Sequence, residues 1–212
     1  MRKLLTTAGA ALLLGAAPAP NVVRVRLDTT AGPIMLALDA RRAPVTTANF
    51  LAYVDDGRFD GTIFYRAARS KRVAGQGFVQ GGIQTNIYRA LPPIPLERTD
   101  RTGIRHLDAT VSMARGQFDA SATGNFVLTV GPTAWMDAKG PQSGYAAFGR
   151  VVGGMDTVKR VLAQPTCCGV GPMRGQMLVK PIRIHRAVRL DGRPTPSRRP
   201  KVWLILERAR RG

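Results

Sequence analysis

The sequence is poor in the side chains on which most catalytic and metal-binding sites depend. Its 212 residues include two cysteines, two histidines and 13 acidic residues. A catalytic triad or a metal centre usually needs one or more histidines, and this sequence has only two to supply them. GxSxG, HExxH and phosphate-binding glycine motifs are all missing from the sequence. The hydrolase and metalloenzyme classes are therefore disfavoured, and we expect neither a metal nor any other cofactor.

The histidines and cysteines fit structural positions. His106 precedes one predicted strand and His185 lies inside another, so we interpret both as structural and expect His106 to be partly exposed. Cys167 and Cys168 are adjacent, which places their Cα atoms about 3.8 Å apart, closer than ordinary disulfide geometry allows. We interpret them as two small residues in a loop rich in glycine and proline, with a vicinal disulfide as the alternative.

The composition indicates one turn-rich globular domain with a strong positive charge. Hydrophobic residues make up 44% of the chain, enough for a core, and 23 glycines with 15 prolines imply many turns. Lysine and arginine total 32, so the net charge is +19. Such a charge attracts nucleic acid, anionic membranes and acidic proteins alike, and charge alone does not choose among them.

The first residues of the chain have the pattern of a secretory signal peptide. Arg2 and Lys3 precede an apolar run over residues 8–17, and small residues follow. The run is shorter than the about 20 apolar residues that a membrane span needs. We therefore predict a signal peptide over residues 1–20, export to the periplasm, no membrane span, and a mature domain over residues 21–190. The cleavage point stays open because prolines interrupt the small residues.

Hydrophobic periodicity predicts strands through most of the domain and helices near its two ends. A helix is expected from Pro44 to about Gly57, and a second over residues 155–163. The apolar face expected for the first helix consists of Val45, Ala48, Leu51 and Ala52. The predicted strands cover residues 22–28, 34–38, 62–65, 78–80, 109–113, 125–130, 146–152 and 182–188. This order favours a closed antiparallel barrel or a sandwich over a parallel α/β sheet.

The chain changes character after Leu190. Residues 191–212 are basic and rich in proline around one apolar island, residues 202–206. We expect this tail to be either mobile or docked only through the island.

Six segments in a fixed order carry a family resemblance. They are GTIFYRA (61–67), GFVQGG (77–82), ATVSMAR (109–115), GNFVLTV (124–130), AWMD (134–137) and GYAAFGRVVGGMD (144–156). In these segments the sequence resembles the cyclophilin family of peptidyl-prolyl cis-trans isomerases, and in particular exported bacterial members. The resemblance extends from residue 22 to about residue 189. Each match alone is weak, but chance would have to reproduce the order and the spacing together.

The resemblance implies a mainly β fold, a closed eight-stranded antiparallel barrel with an α-helix at each end and a substrate groove on its outer surface. Arg66 matches the catalytic arginine of the family. Asn125 stands in place of a usual glutamine, and Tyr145 is a tyrosine as in many bacterial members. The substrate-binding positions implied by the resemblance are Phe78, Gln80, Ala114, Arg115, Asn125, Phe126, Val127, Trp135, Met136 and Tyr145.

Three departures from the family pattern concern this groove. The spacing from Arg66 to Gln80 is roughly six residues longer than usual, which predicts an inserted surface loop with Arg69, Lys71 and Arg72 solvated. Phe78 lies one residue closer to Gln80 than the family's pocket phenylalanine does. The usual pair of phenylalanines becomes Phe126 and Val127. Because adjacent strand residues point to opposite faces, Val127 is expected to face the pocket and Phe126 the core, which makes the pocket less aromatic.

The function implied by the resemblance is acceleration of X–Pro bond rotation in exported proteins, without covalent chemistry and with Arg66 stabilising the twisted amide. The implied partners are proline-containing segments of unfolded or exported proteins and cyclosporin-type ligands, and the implied state is a monomer. The alternative is a chaperone or peptide-binding module with little turnover, which Val127 and the shifted Phe78 favour. Nucleic-acid binding ranks last, because no RNA-binding aromatic motif accompanies the charge. Contact between the basic tail and anionic lipid is a further alternative.

Overall fold

The structure is a computed structural model that describes residues 21–209, so the predicted signal peptide lies outside the described residues. The strands are β1 (Val22–Thr29), β2 (Ile34–Asp39), β3 (Ile63–Arg69), β4 (Gly77–Gly82), β5 (Thr110–Met113), β6 (Asn125–Val130), β7 (Ala147–Gly153), β8 (Thr166–Cys167) and β9 (Met177–Arg189). The α-helices are α1 (Pro44–Asp55), α2 (Thr99–Thr102), α3 (Met155–Leu162) and α4 (Val202–Ala209). Within residues 21–209, no helix has the length and apolar character needed to cross a membrane.

Eight of the strands form a closed antiparallel barrel, which confirms the predicted fold. Their order is β1-β2-β7-β5-β6-β4-β3-β9, and β1 pairs with both β2 and β9, so the sheet closes on itself. The two-residue β8 adds to β9. In β1 the predicted alternation is confirmed, since Val23, Val25 and Leu27 are buried while their neighbours Val22, Arg24 and Arg26 are exposed.

The two longest helices of the barrel domain lie at opposite ends of the barrel. The N–H of Ala43, just before α1, bonds the carbonyl of Asp39 at the end of β2. At the other end of β2, Met35 pairs with Gly153, just before α3. As predicted, α3 buries its apolar residues, namely Val158, Val161 and Leu162.

The apolar face predicted for α1 is wrong in part. Val45 is 40% exposed and Ala48 is exposed, whereas Phe50 and Val54 are buried together with the expected Leu51. Nearly every position of this helix is apolar or small, so periodicity alone does not select a face. The barrel end selects it, because the Phe50 ring packs against the rings of three core phenylalanines, Phe59, Phe126 and Phe148.

The tail packs against the barrel through its apolar island and through hydrogen bonds. Trp203 is 2% exposed, and the guanidinium carbon of Arg58 lies 4.6 Å from its ring centroid. The backbone N–H of Ser197 bonds Asp56, whose carboxylate also pairs with the Nε of Arg58 at 2.6 Å. The backbone N–H of Thr195 bonds Asp55, the neighbouring carboxylate. The tail therefore covers a buried ion pair, and its contacts extend beyond the island.

Candidate active site

The arginine of the FYR segment reaches the outer face of the barrel because β3 contains a bulge. Phe64 pairs with Gly81 and Arg66 with Gln80, so Tyr65 is an extra residue without a partner on β4. Phe64 points into the core, and strict alternation would send Arg66 the same way. The bulge shifts the alternation by one residue, so Ala67 is the next core residue and Arg66 points outward.

Cross-strand pairing places a row of side chains beside Arg66. Gln80 on β4 is opposite both Arg66 on β3 and Val127 on β6. Ala68, two residues after Arg66, is opposite Phe78. Directly opposed residues share a face of the sheet, so these side chains form one outer surface.

This surface is the floor and one wall of a groove with a volume of about 660 Å³. Ala68, Phe78, Val127 and Met136 form a small apolar cluster separate from the barrel core. Along the wall, the Phe78 and Trp135 rings lie 6.3 Å apart, and the Trp135 and Tyr145 rings 6.4 Å apart. Trp135 is 66% exposed, which places it at the rim. The groove is apolar at its base and has the size to hold a proline ring.

Hydrogen bonds on two sides hold the Arg66 guanidinium beside this apolar base. Its Nη1 donates to Gln80 Oε1 at 2.9 Å, and its carbon lies 5.0 Å from the Phe78 ring centroid. Its Nε and Nη2 donate to Gln176 Oε1 at 2.9 and 2.7 Å, and Nη2 also donates to the Pro172 carbonyl at 3.3 Å. Partial burial lowers the pKa of Arg66 from its ordinary value, but an arginine stays charged at neutral pH. Burial also raises the pKa of the neighbouring Tyr65 to about 12, so its hydroxyl is neutral there.

The comparisons with known proteins agree with this geometry. A family model described as cyclophilin type peptidyl-prolyl cis-trans isomerase/CLD matches residues 23–188. The chain belongs to the cyclophilin family. Its enzyme class is accordingly peptidyl-prolyl cis-trans isomerase.

Bacterial relatives cover most of this cyclophilin. Peptidyl-prolyl cis-trans isomerase A of Dickeya dadantii is 37% identical over 169 residues, which are 80% of this chain and 85% of the relative. Peptidyl-prolyl cis-trans isomerase cyp18 of Streptomyces antibioticus is 39% identical over 168 residues, 77% of this chain and 96% of the relative. A crystal structure of a Cryptosporidium parvum cyclophilin type isomerase, obtained in the presence of the dipeptide Ala-Pro, superposes with a TM-score of 0.63. The match covers 80% of this chain and 99% of the Cryptosporidium parvum chain, at 20% sequence identity. A likeness at this level of identity shows the fold.

The structure brings most of the predicted site residues of this cyclophilin together in the groove. These are Arg66, Phe78, Gln80, Ala114, Arg115, Val127, Trp135, Met136 and Tyr145. Arg115 is held at the rim, where its Nε donates to the Gly144 carbonyl at 2.9 Å and its guanidinium carbon lies 5.3 Å from the Tyr145 ring.

Two predicted substrate-binding residues lie outside the groove. Phe126 is fully buried in the barrel core, whereas its neighbour Val127 is in the groove cluster, as the strand alternation predicts. Asn125 is shorter than the usual glutamine, and its amide bonds the backbone of Gln84 through both its oxygen (2.7 Å) and its nitrogen (2.8 Å). Asn125 therefore fastens the chain after β4 instead of facing the groove.

The shifted phenylalanine has a local explanation. Gly77 has a φ of +147°, and a Cβ there would lie 2.1 Å from the carbonyl oxygen of Ala68. Position 77 therefore excludes any side chain. Phe78 supplies the ring from the next position, opposite Ala68 and on the outer face.

The prediction for the inserted loop is wrong in part, because Arg69 is the last residue of β3. Arg69, predicted to be a solvated charge, donates to the carbonyls of Leu162 and Gln164 at 2.9 and 2.8 Å and to the Thr166 hydroxyl at 2.7 Å. The Leu162 carbonyl is the last of α3, and a cation bonded there is favourable because of the helix dipole. Lys71 and Arg72 are exposed, as expected.

The histidine and cysteine predictions each need a correction. His106 is 1% exposed, not partly exposed, because its ring lies between Asp137 (Nδ1–Oδ1, 2.7 Å) and Ser112 (Nε2–Oγ, 2.8 Å). Its structural role is to hold the segment that carries Trp135 and Met136. His185 is exposed on β9. Cys167 and Cys168 form the vicinal disulfide that was the alternative interpretation.

Gln176 and Pro172, which hold Arg66, are among the groove residues that sequence reasoning missed. They lie in the loop between β8 and β9, where no periodicity or motif marks them. Both residues are far from Arg66 in the sequence: Pro172 is 106 positions away and Gln176 is 110 positions away. No signal in a single sequence could have found them.

Proposed function

We propose that this cyclophilin accelerates the rotation of X–Pro bonds in exported bacterial polypeptides, with Arg66 as the catalytic residue. The observation that carries the proposal is the fixed guanidinium of Arg66 beside an apolar pocket of proline size. The reaction needs a cation that is held beside the pocket in which the substrate's proline ring binds.

The reaction requires selective stabilisation of a twisted amide, and it cleaves no covalent bond. The X–Pro bond faces a barrier of about 18–20 kcal/mol and relaxes unaided over tens to hundreds of seconds. Twisting removes amide resonance, so the prolyl nitrogen becomes a better hydrogen-bond acceptor. A guanidinium N–H aimed at that nitrogen stabilises the twisted state more than either planar state.

The groove supplies the positioning. The proline ring would lie on Val127 and Met136 against the Phe78 ring, which places its nitrogen near Arg66. The small side chain of Ala114 leaves room for the residues before proline. Trp135 at the exposed rim would cover the outer side of the substrate, and it is also the residue through which we expect cyclosporin-type ligands to bind.

The charge of Arg66 accounts for part of the acceleration. A hydrogen bond to a charged group contributes about 1.5–3 kcal/mol, and each 1.36 kcal/mol is a factor of about ten in rate. Arg66 therefore supplies about one to two factors of ten, and holding the substrate supplies the rest.

The test is a kinetic comparison of the folded wild type with Arg66→Ala on a short X–Pro peptide, measured by exchange NMR. We expect kcat to fall about ten- to hundredfold with a smaller change in peptide affinity. Arg66→Lys should be intermediate, because lysine keeps the charge and loses the planar fork. Arg101→Ala, which removes an exposed arginine outside the groove, is the matched control. A folded wild type that binds the peptide without accelerating its isomerisation would favour the peptide-binding alternative.

The signal-peptide pattern of residues 1–20 supports export. The bacterial relatives described above support a bacterial source. Mass spectrometry of the protein recovered outside the cytoplasm should find a chain that begins near residue 21. A chain with an intact Met1 that stays in the cytoplasm would contradict the export proposal.

A further inference from the structure

The loop between β8 and β9 binds one edge of the Arg66 guanidinium. A single oxygen, Gln176 Oε1, accepts both the Nε and the Nη2 hydrogen bond, at 2.9 and 2.7 Å. The Pro172 carbonyl accepts from Nη2 at 3.3 Å, and it also accepts from Gln176 Nε2 at 2.9 Å. The Pro172 carbonyl therefore binds both the Gln176 amide and the Arg66 guanidinium.

These contacts leave one donor of the guanidinium available. A guanidinium has five N–H groups. Nε–H and both hydrogens of Nη2 are taken by Gln176 and Pro172, and one hydrogen of Nη1 is taken by Gln80. The second Nη1 hydrogen has no acceptor among residues 21–209. Nη1, the nitrogen that carries this hydrogen, contacts Gln80, which lies on β4 opposite Val127 of the groove.

The loop is itself anchored to the strand that carries Arg66. The N–H of Ala67, the residue after Arg66, donates to the Gln176 carbonyl at 2.9 Å. The N–H of Gly175 donates to the Cys168 carbonyl at 2.5 Å, which closes the loop at the disulfide. Arg69, on the same strand, holds the chain from the end of α3 to the first residue of β8 through Leu162, Gln164 and Thr166. Gln176 is therefore fixed relative to Arg66 from both ends of the loop.

We propose that Gln176, supported by the Pro172 carbonyl, is a positioning residue that occupies the Nε–Nη2 edge of Arg66, so that only Nη1 is presented to the prolyl nitrogen. This role rests on the proposed isomerase function. Without Gln176 the guanidinium can rotate about its last bonds and present either edge, or none, to the substrate. The charge remains, but the fraction of bound substrate in the productive geometry falls.

The test compares Gln176→Ala, Gln176→Glu and the control Gln164→Ala in the full-length protein. Gln164 is a half-buried amide in the same stretch of chain. Its side chain bonds the Arg160 carbonyl and not Arg66, and alanine keeps its backbone carbonyl bond to Arg69. For Gln176→Ala we expect kcat to fall about tenfold with peptide Kd within about twofold, since small misplacements of catalytic groups cost this much. Glutamate retains an oxygen that accepts both hydrogen bonds, so it should restore kcat to within a few fold of the wild type.

A second readout follows the arginine itself. The Nε–H signal of Arg66 in ¹⁵N NMR should exchange slowly with water in the wild type, in Gln176→Glu and in Gln164→Ala. It should exchange at least about tenfold faster in Gln176→Ala. The proposal is overturned if Gln176→Ala leaves kcat within twofold, or if it lowers kcat and thermal stability together while the Arg66 signal is unchanged. If the wild type has no isomerase activity, the proposed function fails, and the Arg66 exchange rate alone then decides whether Gln176 positions the guanidinium.

Discussion

Replacement of Phe78 by alanine tests whether the apolar cluster on the outer face is the proline pocket. Phe78 is 7% exposed, packs with Val127 and Met136, and lies 5.0 Å from the Arg66 guanidinium carbon. At 7% exposure only about 15 Å² of Phe78 is accessible, so a proline ring seated against it would remove about 30 Å² of apolar surface from water, counting both partners. At about 25 cal/mol/Å², that contact is worth about 0.8 kcal/mol, or about three- to fourfold in Kd.

The same substitution also removes the ring beneath Arg66. A cation–π contact of this kind contributes about 0.5–1 kcal/mol, so we expect kcat to fall a further two- to fivefold. Peptide Kd is obtained by NMR titration and kcat by exchange NMR, with circular dichroism to confirm the fold. Phe118→Ala is the matched control, because Phe118 is 77% exposed and does not line the groove. A folded Phe78→Ala protein with Kd within twofold of the wild type would refute the assignment of the pocket.

Two further predictions concern residues behind the groove. Phe126→Ala should lower the free energy of unfolding by about 3–5 kcal/mol, measured by urea titration, because its ring lies in the barrel core, and peptide Kd of the folded protein should not change. A large loss of affinity with little loss of stability would contradict this. Burial lowers the pKa of His106 below its ordinary value of 6.5, so on acidification the unfolded chain binds a proton before the native ring does. Stability should therefore be complete above about pH 6.5 and decline below it, by at most about 1.4 kcal/mol per pH unit. His106→Gln should remove this part of the slope between pH 5 and 7, and an unchanged slope would show that other groups cause it.

Much of the fold follows from local pattern in the sequence. The alternation of β1 and the positions of α1 and α3 were predicted because they depend on neighbouring residues and on one repeating period. The opposite orientations of Phe126 and Val127 were predicted for the same reason, since adjacent residues of a regular strand face opposite sides. Where apolar and small residues occur on every side of a helix, as in α1, this local rule no longer selects the buried face.

The sequence by itself thus determined the family, the barrel that the family resemblance implies and the segments that hold Arg66, Phe78 and Gln80, because ordered motifs are local properties. Strand periodicity alone had left a sandwich open. The tertiary structure decided which way Arg66 points and what holds it. The bulge at Tyr65 exists only relative to the partner strands β4 and β9, and Gln176 reaches Arg66 from 110 positions away. Long-range pairing and loop closure depend on the whole barrel, so no pattern within one segment encodes them.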